Sequence, residues 1–333
     1  MSQHSTWRRV PIVRILVGCV SFLAGWIAHG QRVNDLVGRS SYVIQHWQTE
    51  EGLPQNSVTS IAQTPDGYLW LGTFNGLVRF DGVRFTVFDS STTPELKSSR
   101  IVQTHVGRKG GLSILSEFQD FAAYSDGKFS SVAWATRPKA NRCVKIIENS
   151  SGDTVVLDTE RNIFRIRDFG IEWMASFTNL DLGRIVAMES DSSGKIWVAL
   201  KKALGFVEAG NFIAWQTQLD PAVMLPEILG RSRSGIWFAG RHGGLSRVEG
   251  LAVKEAYAFP LAEVIPTVVC EDRQQQVWVG TLRDGLFLLR NGLWERISVE
   301  QGLSHDRAIQ LTTVPPTCCG RESGNGLPPT IFL

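Results

Sequence analysis

The sequence lacks a charge excess, a cysteine framework and any hydrophobic run long enough to span a bilayer. Its 34 basic residues against 32 acidic ones leave a net charge of +2 over 333 residues. That balance argues against a nucleic-acid partner held by bulk charge. Five cysteines are present, none at a spacing with histidine that would hold zinc. Cys143 and Cys270 fall in the first strands of separate repeats, too far apart for a disulfide, and read as small buried hydrophobes. A Gly-x-Ser-x-Gly elbow, a phosphate-binding loop and a His-Glu-x-x-His pair are all missing. No catalytic residue, metal site or cofactor is therefore assigned.

The longest apolar stretch, Ile15 to Ala28, is uncharged but short for a membrane helix. Arg8, Arg9 and Arg14 precede it, and Ala28 and Gly30 supply small residues before a cut at Gln31. Residues 1–30 therefore read as a secretory signal peptide, with an uncleaved anchor as the alternative.

Glycine and tryptophan are what the chain has, with 32 and 11 copies. One stretch, Gly52 to Phe88, sets the pattern. Val58–Gln63 is a β-prone run, Pro65-Asp66-Gly67 a turn, and Tyr68–Thr73 a second run. Asn75-Gly76 turns the chain again into Leu77–Phe80, and Asp81-Gly82 turns it into Arg84–Phe88. This is a four-stranded antiparallel meander. Its second-strand tryptophan, Trp70, returns as Trp197, Trp237 and Trp278, the last three separated by 40 and 41 residues. Two weaker copies, Ile101–Phe129 and Cys143–Ile166, fill the gap without a tryptophan. The expected fold is all-β, a β-propeller with six recognisable four-stranded blades and the start of a seventh at Gly302-Leu303-Ser304-His305. The repeat tryptophans are expected in the layers between blades rather than at a ligand.

Trp47–Pro54, Asp66–Thr73 and Asn75–Gly82 resemble the two-component regulator propeller repeat. The resemblance extends over Tyr42 to Leu311, strongest in the first repeat and weakest in the middle two. It implies the periplasmic sensor region of a bacterial receptor whose output domain is a histidine kinase, hybrid kinase or diguanylate cyclase. A small-molecule or oligosaccharide ligand and a homodimer are what such a module would use. Alternatives are a secreted propeller lyase or hydrolase acting on a glycan, and a protein-binding scaffold.

The propeller is expected over residues 31–311. Ser41–Trp47 reads as a lone outer strand of the kind that closes a ring. After Leu311 the repeat demands an Asp-Gly turn and a Leu-Trp-x-Gly-Thr strand, yet Thr312–Leu333 brings Pro315-Pro316 and Cys318-Cys319. The tail reads as non-propeller sequence, consistent with a frameshift that cuts off the ring and the output domain.

Connections in a meander alternate between two faces, so the loop leading into a blade shares a face with that blade's turn between strands two and three. This collects Asn56, Phe74, Asn75, Arg100, Lys201, Lys202, Arg241, His242, Arg283 and Asp284 as candidate ligand contacts. Lys201, Lys202, Arg241 and Arg283 come from three consecutive repeats and suit an anionic ligand such as a carboxylate-bearing sugar. The plainer alternative is a set of solvated turn residues.

Overall fold

Turns rich in glycine and aspartate cut the chain into strands of three to seven residues. The computed structural model describes residues 44, 46–134, 142–149, 151–167, 170–176, 182–215, 227–241, 244–272, 274–308, 311–314 and 330–332. The chain divides into Met1–Gly30, which lies outside the described residues, and Gln31–Leu333. Among the described residues no helix is long and apolar enough to cross a membrane.

Six blades follow one another. Blade one holds β1 (Val58–Gln63), β2 (Leu69–Thr73), β3 (Gly76–Phe80) and β4 (Phe85–Phe88). Blade two holds β5 (Ile101–Val106), β6 (Leu112–Ser116), β7 (Phe121–Ser125) and β8 (Lys128–Trp134). Blade three holds β9 (Cys143–Glu148), β10 (Thr154–Asp158), β11 (Asn162–Arg167) and β12 (Gly170–Ser176), so this weak repeat has a fourth strand past Ile166. Blade four holds β13 (Ile185–Ser190), β14 (Ile196–Leu200), β15 (Ala203–Glu208) and β16 (Asn211–Ala214). Blade five holds β17 (Ile228–Ser232), β18 (Gly235–Gly240), β19 (Gly244–Glu249) and β20 (Ala252–Tyr257). Blade six holds β21 (Pro266–Glu271), β22 (Val277–Thr281), β23 (Leu286–Arg290) and β24 (Leu293–Ile297).

Each blade is an antiparallel meander in chain order. Blades two and three also meet at their outer edges. There β8 and β12 pair in parallel at Ala133–Gly170 and Trp134–Ile171, making one eight-stranded sheet. Except in β17, the first strand of each blade begins with a bulge that shifts the register, between Val58 and Ser60 in β1 and between Pro266 and Val268 in β21. The bulged threonines reach the next blade: Thr59 Oγ1 donates to the Ile101 carbonyl at 2.8 Å, and Thr267 Oγ1 donates to that of Ala308.

The first strand of every blade is the innermost, and each lies against the next: β1 against β5, then β9, β13, β17 and β21. A further strand, β25 (Thr312–Val314), touches both β21 and β1, so seven inner strands close a circle. This strand lies at the start of the segment expected to be non-propeller tail. A tail strand, β26 (Thr330–Phe332), pairs with β25 from Thr312–Phe332 to Val314–Thr330. Of the lone strand expected at 41–47, residues 41–43 and 45 lie outside the described residues. Ile44 packs with Leu286, Leu303 and Ala308.

The lead-ins to blade one and to the seventh unit are built alike. Thr49–Glu51 and Val299–Gln301 are single 3₁₀ turns with a capping box, each ended by a glycine in the left-handed region. Gly52 has φ 103° and Gly302 φ 106°, values that a side chain resists. Behind each glycine Leu53 or Leu303 is buried. The Thr49 N–H donates to Asn56 Oδ1 at 2.8 Å, and the Val299 N–H donates to Asp306 Oδ1 at 2.9 Å.

Tryptophan fills the layers between blades. Trp70 packs with Ile101, Leu112 and Ile114 of blade two, Trp197 with Leu229, Ile236 and Phe238 of blade five, and Trp237 with Val269, Val279 and Phe287 of blade six. Each ring buries large apolar area, and each indole N–H then needs an acceptor. Six residues upstream the turn supplies it: Thr64 Oγ1 for Trp70 at 3.0 Å, Asp191 Oδ2 for Trp197 at 3.0 Å and Asp272 Oδ2 for Trp278 at 3.1 Å. The other oxygen of Asp191 accepts from the Ser193 and Lys195 N–H groups, and that of Asp272 from Gln274 and Gln276. These buried aspartates lock the first hairpin of their blades as well as the tryptophan. In blade five Trp237 instead donates to Glu271 of blade six at 2.6 Å.

Candidate ligand-binding face

The loop into a blade and that blade's second turn are joined by hydrogen bonds. In blade one the Phe74 N–H donates to Gln55 Oε1 at 3.1 Å and Asn75 Nδ2 donates to the Pro54 carbonyl at 3.2 Å. In blades two, three, four and six a backbone bond does the same work. Glu117 N–H donates to Arg100 O at 2.7 Å, Thr159 to Arg142 at 2.8 Å, Lys201 to Arg184 at 2.9 Å and Leu282 to Ile265 at 2.9 Å. These loops and turns make up the upper face.

The residues expected there differ in availability. Asn56 and Asn75 are tied into the loops that they shape, through Thr49 and Pro54. Arg100 lies over the Phe74 ring, 4.5 Å from its centroid, and pairs with Glu117. That guanidinium, helped by Arg142, holds the Glu117 carboxyl below the usual carboxylate range. Arg241 pairs with Glu227 at 3.3 Å. Lys201, Lys202 and Arg283 are exposed. Asp284 is half-buried, its N–H on Thr281 Oγ1 and its carbonyl on Arg296 Nε, both at 2.8 Å. His242 lies outside the described residues. Phe74 and Arg100 are thus brought together across two blades, while the Lys201–Lys202 pair, Arg241 and Arg283 stand on three separate turns.

The backbone pattern adds Arg142 and Arg184, which the sequence analysis missed, to Arg100. The carbonyl accepting each of those bonds belongs to the residue just before the inner strand, and in blades two, three and four that residue is arginine. Arg100, Arg142 and Arg184 recur every 42 residues, and Arg307 precedes Ala308, whose carbonyl accepts from Thr267 as that of Ile101, next to Arg100, accepts from Thr59. All four are exposed. Among the described residues no acid pairs with Arg184, Lys201, Arg283 or Arg307. Arg161, on the second turn of blade three, donates to the Gly183 carbonyl at 2.6 Å and ties that turn to the lead-in of blade four. Beside Glu117, Phe118 leaves 59% of its surface exposed. Aligning the two worn repeats on their inner strands, rather than on the absent tryptophan, is the signal that finds this row.

Residues 52–75 match the family described as two component regulator propeller. The chain carries this repeat. Several solved structures share the fold of this chain. Virginiamycin B lyase from Staphylococcus aureus is 14% identical with a TM-score of 0.61, covering 77% of this chain and 90% of that one. The extracellular domain of the putative hybrid two component system BT3049 from B. thetaiotaomicron is 13% identical with a TM-score of 0.62; 80% of this chain matches 37% of that one. YCF48 from Cyanidioschyzon merolae is 14% identical with a TM-score of 0.58, covering 79% and 90%. At these identities the likeness is one of fold. No curated protein matches the chain by sequence.

Proposed function

We propose that this regulator propeller is the ligand-sensing module of an exported bacterial receptor. It faces the periplasm and acts through a kinase or cyclase output domain in the full-length receptor. The ligand is a small molecule or oligosaccharide with anionic groups, held on the upper face of blades two to four. The observation that carries this reading is the row Arg100, Arg142 and Arg184, with Lys201 and Lys202 on the next turn. Guanidinium groups bind carboxylates in a two-pronged geometry that water does not match, which suits arginine to a uronate. The exposed ring of Phe118 beside Arg100 and Glu117 offers an apolar face for a sugar ring. A match to the extracellular domain of a hybrid two-component system supports the receptor setting.

Calorimetry with a uronate oligosaccharide and its neutral counterpart tests the reading. The uronate is expected to bind at least about tenfold more tightly, with affinity falling as salt rises. A combined Arg142→Ala, Arg184→Ala variant is expected to lose that preference. Equal binding of the charged and neutral sugars, or a double variant that still discriminates, sinks it.

A further inference from the structure

We propose that the Arg100–Glu117 pair and the ring of Phe118 form a subsite for an uncharged pyranose, at the blade-two end of the upper-face site. Arg100 donates to one ring hydroxyl, Glu117 accepts from the hydroxyl beside it, and Phe118 packs against the C–H face of the sugar. This rests on the reading of that face as a saccharide site and divides its work: blade two reads hydroxyls and blade four reads charge.

The turn residue that donates its N–H to each lead-in changes in character around the face. It is Phe74 in blade one, Glu117 in blade two, Thr159 in blade three and Lys201 in blade four. Arginine precedes the inner strand in blades two, three and four. Arg184 therefore stands beside a second cation, Arg142 beside a neutral hydroxyl and Arg100 beside a carboxylate. The Arg142 N–H also donates to Thr159 Oγ1 at 3.3 Å. An anion gains most at blade four, whereas at blade two the charges cancel. A neutral pair with a donor and an acceptor side by side suits a vicinal diol, whose two hydroxyls can each donate or accept.

Exposed ion pairs usually contribute little, because two long side chains must be ordered to make them. Here their surroundings supply the order. The Arg100 guanidinium lies over the Phe74 ring, 4.5 Å from its centroid. The Glu117 N–H donates to the Arg100 carbonyl at 2.7 Å, and the Arg100 N–H donates to Ser98 Oγ at 3.1 Å. The turn that holds Glu117 and Phe118 is closed by the Gln119 N–H on the Ser116 carbonyl at 3.0 Å. Gln119 Oε1 in turn accepts from the Cys143 N–H of blade three. Glu117 Oε2 accepts from Arg100 Nε. Among the described residues, Nη1 and Nη2 of Arg100 and Oε1 of Glu117 make no hydrogen bond. A donor fork and an acceptor thus remain available on a fixed base, which lowers the ordering cost of binding a sugar. Phe118 follows Glu117 in the same turn and leaves 59% of its surface exposed.

Calorimetry on the full chain with neutral gluco-, galacto- and manno-oligosaccharides tests this. At least one is expected to bind. Arg100→Met and Glu117→Gln, both at exposed positions, are each expected to weaken that binding about tenfold. In Glu117→Gln the preference for a uronate over its neutral counterpart is expected to widen, because a negative charge has left the face. A Glu117→Gln chain that loses both affinities by the same factor has lost only structure, and overturns the proposal. So does one that binds the neutral sugar as tightly as the parent, and so does failure of all three neutral sugars to bind. A chain that binds the neutral sugar through Glu117 but does not prefer the uronate upholds this subsite and removes the anionic reading alone.

Discussion

Blades one and two stand side by side and are held together by different means. Blade one carries Trp70, locked to Thr64 and stacked on Phe88 at 5.7 Å. At the corresponding place blade two has Ser113 and blade three has Val155. In blades two and three the missing ring is replaced by backbone-directed contacts. Gln103 accepts from the Ile146 N–H at 3.1 Å and donates to the Ile146 carbonyl at 3.4 Å, and β8 and β12 join the outer edges. Removing the tryptophan frees positions that a strict repeat would hold fixed. His105 occupies the inner-strand place that Ala62 has in blade one. The worn blades also carry Arg100 and Arg142. Departures from the repeat thus fall in the blades that carry the arginines of the proposed site.

The largest test of this contrast is deletion of a repeat ring. Trp197→Ala should cost about 3–5 kcal/mol in denaturant unfolding, whereas Ser113→Ala should stay within ~0.5 kcal/mol. A similar cost at both would show that the two kinds of blade are not stabilised differently.

Acid should act next, and through the worn blades. The folded pKa of His105 is depressed to about 4 while the unfolded chain titrates at the ordinary 6.5. Between these values the unfolded chain binds more protons, so stability is intact above pH 6.5 and falls as pH drops toward 4. The difference is of the order of 3 kcal/mol. Melting curves of the parent and His105→Gln in low-anion buffer should converge through that window. Parallel curves would mean that His105 is not buried neutral.

Asp272→Ala removes the acceptor of Trp278 and of two turn N–H groups. A loss of about 2 kcal/mol is expected, with Asp272→Asn, which keeps an oxygen, losing less. The smallest effect compares the two lead-ins. Gly52→Ala and Gly302→Ala should each cost about 1 kcal/mol at their positive φ. If only Gly52→Ala costs anything, the seventh unit is not docked in the ring.

The blade pattern was legible because its signals are local. Asp-Gly and Asn-Gly turns, period-two runs and a recurring tryptophan each act within a few residues. Three things were not legible. The fourth strand of blade three lacks a repeat signal, since Gly170–Ser176 pairs with β11 through a bulge and meets β8 at the outer edge of the neighbouring blade. The inner strand at Thr312–Val314 depends on contact with β1 and β21, which no short window of sequence shows. The second task of Asp191 also escaped, because an aspartate in a turn looks the same whether or not an indole lies against it.

Sequence alone determined the repeat unit, the all-β class and the side of each blade on which a loop falls, because turn chemistry and strand alternation are properties of neighbours along the chain. It could also name cations on those loops. Only the tertiary structure decided which of them belong together. The alignment of Arg100, Arg142 and Arg184 and the contact of Arg100 with Phe74 arise from inner strands closing on one axis. Ring closure brings residues from distant blades to one place, and the chain between them carries no local trace of that meeting.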